Sequence, residues 1–387
     1  MKKLTFGRAS VVNALLGSLF LFCASHLTAD TTTVNTAPDG FFELGAYDSG
    51  GNYLGLLANS DTLISIPFTR LPAFVGTVQS VSGNIVTVTG SPNWTANQFV
   101  YAAGTQTNTY YAQLGPNSGT PADPKDGCCY QVTANGTGTV TLYLNGDSLT
   151  SVPANSQITI FPAWTLNTLF PASNANVSFT PTTSRLFTTE VAIPDYTTAG
   201  INLSPSKLYY FVSVGSNIGW RLVGDANTTD HGNDPLVPDG YITVRNQNGA
   251  PTLPLVVSGC VPTSKLTVPL TTLSAGPQDN AVAIIRPVDS TLNTSGLNTT
   301  DGSFVATTGR NFADELCLYS NSQVALNKSP SSIYYYYNNG WRLVGDSPAT
   351  DHGTDTISAG SALTIRKAAT SSGQTVFWTN TPSYSTN

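Results

Sequence analysis

The chain has 387 residues, a formal net charge of −6, and only 10% Asp, Glu, Lys and Arg. Its sixteen basic residues nowhere form a cluster that could neutralise a run of phosphates, which argues against nucleic acid or an anionic membrane surface as partner. A polar but weakly charged composition rich in Thr, Ser, Asn and Gly suits strands and turns better than surface helices, and the length allows two or three domains with cores of their own.

Residues 1–29 have the form of a secretory signal. Lys2, Lys3 and Arg8 precede an uncharged apolar stretch from Val11 to Ala24, too short and too poorly flanked to be a membrane anchor. Cleavage is expected after Ala29, with Ser25 as second choice. Cys23 is a poor lipidation site, because bulky Phe20 and Phe22 stand where small residues are needed. The segment carries three basic and no acidic residues, so its removal takes the charge from −6 to −9. The expected product is secreted, at the cell surface or periplasmic. Its last residues, Pro382 to Asn387, have no apolar stretch to serve as an anchor.

Four cysteines remain after processing: Cys128, Cys129, Cys260 and Cys317. An even number in an exported chain permits disulfides in three connectivities. Cys128 and Cys129 would bond elsewhere more easily than to each other, given the strain of a vicinal ring. No CxxC spacing points to a metal.

An internal repeat decides the architecture. Gly219-Trp220-Arg221-Leu222-Val223-Gly224-Asp225 recurs as Gly340-Trp341-Arg342-Leu343-Val344-Gly345-Asp346, 121 positions later. At the same offset Asp230-His231-Gly232 meets Asp351-His352-Gly353, Asp234 meets Asp355, and Ile242-Thr243-Val244-Arg245 meets Leu363-Thr364-Ile365-Arg366. Upstream the offset becomes 125, pairing Arg185 with Arg310, Glu190 with Glu315 and Asn202 with Asn327. Thr165-Leu166-Asn167-Thr168 meets Thr291-Leu292-Asn293-Thr294 at offset 126. A shorter match, Ile66-Pro67-Phe68-Thr69 with Val268-Pro269-Leu270-Thr271 at offset 202, implies about 76 extra residues in the first copy.

The extra segment reads as successive short strands with Gly, Asn and Pro turns, the pattern of a small barrel or sandwich. Aromatic runs in each copy, Leu208 to Val212 and Ile333 to Tyr337, lead through turns into the Trp-Arg-Leu-Val strands, as in hairpins. The expected fold is all-β: two homologous β-sandwich-like repeat domains, with a small β-barrel-like domain inserted in the first. Residues 30–72 and 164–255 form the first repeat, 73–163 the insertion and 256–387 the second repeat.

The Trp-Arg-x-Val-Gly…Asp-x-Gly-x-Asp…Arg pattern resembles that of a family of exported proteins of unknown function found mostly in Verrucomicrobia. The Ser60 to Arg70 opening, the Trp94 to Tyr101 run and Trp164-Thr165-Leu166 are similar too. The resemblance covers most of the mature chain up to about Arg245. It implies export and architecture, and brings no activity or ligand with it.

Residues kept in both copies are the candidates for function. Arg185/Arg310, Arg221/Arg342, Arg245/Arg366 and Glu190/Glu315 read as structural, with arginines pairing carboxylates and carbonyls to pin long loops to a sheet. Arg221 lies between Trp220 and Leu222 on an alternating strand and should face away from both. Asp225, Asp230 and Asp234, and again Asp346, Asp351 and Asp355, place three carboxylates within ten residues. Such a loop offers oxygens for calcium, although its order departs from the EF-hand, and turn-forming aspartates are the competing reading. His231 and His352 read as turn residues, because no further N or S donors stand near them. No Gly-x-Ser-x-Gly elbow or His-Glu-x-x-His is present. Glu190 and Glu315 could meet across a pseudo-dyad as a glycosidase pair, but nothing else selects them. Tyr209, Phe211, Trp220, Tyr334, Tyr336 and Trp341 could stack on sugar rings or on a neighbouring subunit. These features together suggest a non-enzymatic surface, matrix or appendage component that associates with itself. The alternative is a carbohydrate-binding module for extracellular glycan, with calcium in the Asp loops.

Overall fold

A computed structural model describes residues 38–117, 122–171, 189–214, 217–247, 252–297, 299–307 and 313–384. The signal segment, Arg185 and Arg310 lie outside the described residues. The chain begins with β1 (Asp39–Glu43), β2 (Ala46–Tyr47), β3 (Tyr53–Gly55) and β4 (Ser60–Ile64). It then makes β5 (Phe74–Ser82), β6 (Ile85–Val88), β7 (Tyr110–Asn117), β8 (Cys129–Asn135), β9 (Thr139–Tyr143) and β10 (Ser156–Pro162). A four-residue helix α1 (Leu166–Leu169) leads to β11 (Thr189–Ile193), β12 (Lys207–Val214), β13 (Asn217–Leu222), β14 (Ile242–Asn246) and β15 (Val256–Cys260). The remaining strands are β16 (Leu266–Thr271), β17 (Gln278–Ala283), β18 (Ser290–Thr291), β19 (Glu315–Leu318), β20 (Ser332–Tyr337), β21 (Gly340–Leu343), β22 (Thr356–Ile357), β23 (Ala362–Lys367) and β24 (Thr375–Asn380). The all-β expectation is met.

Strands β5 to β10 close into a six-stranded barrel in the order β10-β5-β6-β9-β8-β7, the inserted barrel that the composition suggested. Alternation sends Val78, Val86, Leu114, Val132, Leu142 and Ile158 inward, so the barrel is a packed core. Trp94 meets Phe74 and Phe99 edge-on at centroid distances of 4.8 and 5.0 Å and belongs to the same core.

The two repeats share one plan. The first forms a sheet in the order β13-β12-β11-β14-β4, and the second forms β21-β20-β19-β23-β17. Each is accompanied by a two-stranded ribbon, β1-β15 or β16-β24. Between ribbon and sheet lies an apolar core with a tryptophan buried in it, Trp220 in the first repeat and Trp341 in the second. The repeated Thr-Leu-Asn-Thr motif is a capping box. Thr165 caps α1 and is capped in turn by Thr168, while Thr291 and Thr294 do the same for the 3₁₀ turn Leu292–Thr294.

The strand pairing corrects one sequence inference. Asp61 on β4 lies opposite Arg245, as Asp279 on β17 lies opposite Arg366, so these strands correspond at an offset of 218 rather than 202. Val268 to Thr271 belongs to β16, whose ribbon position in the first repeat is filled by β1. The short apolar-Pro-apolar-Thr match joins β16 to residues 66–69, which follow β4 and lie in no strand. The first copy therefore carries about 92 extra residues rather than about 76.

The repeats face each other with their contacts made twice, once in each direction. Ser65 N–H donates to Gly360 O at 2.9 Å, and its counterpart Ala283 N–H donates to Asp239 O at 2.8 Å. Asp61 N–H donates to Ala325 O, and Asp279 N–H to Gly200 O. Each repeat thus lays the loop between its third and second strands along the outer edge strand of the other. This is the reciprocity of a two-fold interface, built within one chain. A small apolar cluster of Leu63, Tyr241 and Ala362, with Ala281 and Tyr319, includes residues of both repeats.

The barrel breaks this symmetry. It docks on β16 of the second repeat, where Thr267 N–H donates to Gly127 O at 3.0 Å and Thr267 Oγ1 to Asp126 O at 2.7 Å. Lys265 pairs with Asp126 at 2.9 Å, and Lys125 Nζ sits 4.4 Å from the Phe377 ring centroid. Gly127 has φ +91°, and a Cβ there would lie 2.7 Å from Lys265 O and 2.8 Å from Thr267 N. Only glycine lets the two backbones approach so closely.

Candidate functional site

Among the described residues, the charged side chains kept in both copies gather at two places in each repeat: the loop after the Trp-Arg strand, and the seam between the repeats.

At the loop, the first aspartate of Asp-His-Gly organises the backbone. Asp230 Oδ1 accepts from Trp220 N–H at 3.0 Å, Gly232 N–H at 3.2 Å and Arg221 Nη1 at 3.3 Å. Asp351 repeats all three contacts with Trp341, Gly353 and Arg342, at 3.0, 3.2 and 3.3 Å. Arg221 is buried beneath this loop, donating from Nε to Asn227 O at 2.7 Å and from Nη1 to Trp220 O at 2.8 Å. Arg342 is buried likewise and reaches Trp341 O and Thr350 O. The glycine makes room for a close neighbour: a Cβ on Gly232 would fall 2.2 Å from the Asn167 side chain, and one on Gly353 2.4 Å from that of Asn293, so either asparagine would have to shift.

The histidine ties the other two aspartates together. His231 Nε2 lies 2.9 Å from Asp225 Oδ2 and Nδ1 lies 3.2 Å from Asp234 Oδ2. His352 makes the same contacts to Asp346 at 3.0 Å and Asp355 at 2.9 Å. A buried tyrosine closes each chain, Tyr209 donating to Asp234 at 2.6 Å and Tyr334 to Asp355 at 3.0 Å. Burial draws the His352 pKa down, but hydrogen bonds to Asp355 and Asp346 outweigh it and hold the imidazole above its ordinary value. Asp225 and Asp346 are held below the usual carboxylate range, first by the backbone N–H of Ala226 or Ser347 and then by the histidine.

The six loop carboxylates face amides, guanidinium groups, imidazoles and phenols, and no group of three or more His, Cys, Asp or Glu among the described residues is arranged to hold a metal ion. The aspartates act as loop fasteners of the Asx-turn kind.

At the seam, Arg245 grips Asp61 with two parallel bonds, Nε to Oδ1 at 2.7 Å and Nη2 to Oδ2 at 2.8 Å. The same Nη2 donates to Asn327 Oδ1 of the other repeat at 2.6 Å, and Asn327 N–H donates back to Asp61 Oδ2 at 2.6 Å. Across the pseudo-dyad, Arg366 grips Asp279 at 2.7 and 3.0 Å and bonds Asn202, whose N–H donates to Asp279 at 2.8 Å. Glu190 and Glu315 each lie opposite their own arginine, Arg245 and Arg366, rather than facing one another across a cleft. Burial raises the Glu190 pKa, offset in part by Arg245.

The aromatic candidates turn inward. Trp220, Tyr209, Trp341 and Tyr334 are buried, and Phe211 and Tyr336 pack edge-on against the tryptophans at 5.5 and 5.6 Å. None of the four buried rings has a face for a sugar. Both sides of β12 are covered, since Tyr210 is buried as well and its hydroxyl donates to Asn227 of the Asp loop at 3.0 Å. Among the described residues no disulfide is seen between Cys128, Cys129, Cys260 and Cys317. Cys128 belongs to the barrel core, while Cys260 and Cys317 are buried in strands of the first and second repeat.

A small apolar cleft of about 20 Å³ lies where Phe68, Trp164 and Ile242 of the first repeat meet Phe161 of the barrel and Ile285 of the second repeat. Among the described residues no helix is long and apolar enough to cross a membrane. Sequence reasoning missed Asp61, Asp279 and the Asn202/Asn327 pair as partners of the arginines. The signal was there in part, because both asparagines repeat in register, each followed by the same Ser-Pro-Ser two residues on. No known family model matches the chain, and no curated protein matches it.

Proposed function

We propose that this is an exported, non-enzymatic structural protein of a surface, matrix or appendage. The observation that carries this reading is the use of the scarce charges. Among the described residues, the charged side chains kept in both copies hold loops to strands or one repeat to the other, and they converge on no shared cleft. Selection that preserves fasteners in duplicate is expected where shape and cohesion are the product. The motif resemblance to exported proteins and the signal-like N-terminus support the location. The test is native mass and negative-stain imaging of the secreted protein. Multimers, filaments or association with the cell envelope are expected, whereas a strict monomer that binds a glycan array would sink the reading in favour of carbohydrate recognition.

A further inference from the structure

The second repeat contains a charged pair that the first lacks. Lys367, at the end of β23, is 1% exposed, and Asp314, just before β19, is 0% exposed. Lys367 Nζ is in close contact with Asp314 Oδ2 and donates also to Ser303 O at 2.9 Å and Gly302 O at 3.4 Å. Both carboxylate oxygens are held by backbone: Val305 N–H donates to Oδ2 and Ala368 N–H to Oδ1, each at 2.8 Å. In the first repeat the equivalent positions are Asn246 and Thr189, opposite one another and joined by a neutral hydrogen bond of 3.1 Å.

The site works in neutral form in one copy, so the fold does not demand an ion pair there. Removing an ammonium and a carboxylate from water is costly, and replacement by neutral groups is often no worse for stability. What the Lys–Asp version adds is a side-chain nitrogen in close contact with a carboxylate oxygen in a dry, fixed setting, the condition under which intramolecular reactions gain most. We propose that Lys367 and Asp314 condense to an intramolecular amide that cross-links β23 to the segment entering β19.

The atoms balance without any co-reactant. One proton passes from Nζ to Oδ2 across their contact, leaving an amine and a carboxylic acid. The carbonyls of Ser303 and Gly302 hold the remaining Nζ hydrogens and aim the lone pair at Cγ. As the Nζ–Cγ bond forms, negative charge gathers on Oδ1, where the Ala368 N–H stabilises it as an oxyanion hole does. The Cγ–Oδ2 bond then breaks, Oδ2 takes a second proton from nitrogen, and water leaves. Ammonium and carboxylate thus become amide and water, with no change of oxidation state.

The experiment is peptide mapping of the full-length secreted protein after denaturation and trypsin digestion. A linked species is expected that joins residues 311–328 to residues 367–387, with a mass equal to their sum less one water and no cleavage after Lys367. Digests of Lys367→Met and Asp314→Ala should lack it. Recovery from the wild-type protein of 311–328 and 368–387 as separate, full-mass peptides would overturn the proposal and leave an ordinary buried ion pair. The wild-type digest decides the matter even if neither variant folds.

Discussion

An ionised carboxylate only accepts hydrogen bonds, so His352, placed between Asp346 and Asp355, needs a proton on each ring nitrogen to satisfy both. Its pKa is raised in the folded state. The sign of the resulting linkage is fixed: the stabilisation is fully present below the unfolded imidazole value, about 6.5, and is lost as pH rises through the higher folded value. Melting temperature should therefore decline from about pH 6.5 upward, in the window set by imidazole titration. His352→Asn should flatten that part of the profile. An unchanged slope in the variant would assign the decline to other groups. The competing contributions of Asp225 and Asp346 act at acid pH, since their lowered pKa values stabilise the fold above the ordinary carboxylate range and fail as pH falls through the folded values.

At the scale of elements, close approach matters more than charge. The barrel is held to β16 by backbone contacts around Gly127, where φ is positive and no space exists for a side chain. Gly127→Ala should cost about 2 kcal/mol or more, through left-handed backbone strain and the collision with Lys265 and Thr267. Limited proteolysis should show the barrel turn cut faster while the repeats persist; equal resistance in wild type and variant would show that the dock tolerates the change. This dock illustrates what the sequence could not reveal. Strand alternation within residues 74–162 was legible, because valine, isoleucine and threonine on a period of two need only local rules. That Asp126-Gly127 lies against Thr267 depends on a meeting of segments 140 positions apart, and nothing local encodes it. The aromatic strands show the same limit. Alternation correctly gave β12 and β20 two faces, yet only the assembled fold shows that the outer face of β12 is covered by the Asp loop.

Across the whole molecule, duplication was the most readable feature, since motifs of seven identical residues survive any amount of loop drift. Arg245 and Arg366 were legible as fasteners, but not what they fasten. Their asparagine partners come from the opposite repeat, and only the facing of the two copies brings them near. The offset of 202 misled because a four-residue match carries little information, whereas a shared ion-pair register carries much.

The exchange of loops between the repeats has a thermodynamic consequence. Neither repeat has a finished edge by itself: β4 relies on Ala325 and Asn327, and β17 on Gly200 and Asn202. If one repeat opened, it would strip the other of backbone partners and leave a bidentate arginine and its aspartate facing water. Partial melting is therefore penalised from both sides, and the two copies should unfold in concert. Scanning calorimetry is expected to give one endotherm for both repeats, with calorimetric and van 't Hoff enthalpies in agreement. Two resolved peaks of repeat-sized enthalpy would show that the halves melt independently. Cooperativity, on this account, is a property that the duplicated chain has and that neither copy could have on its own.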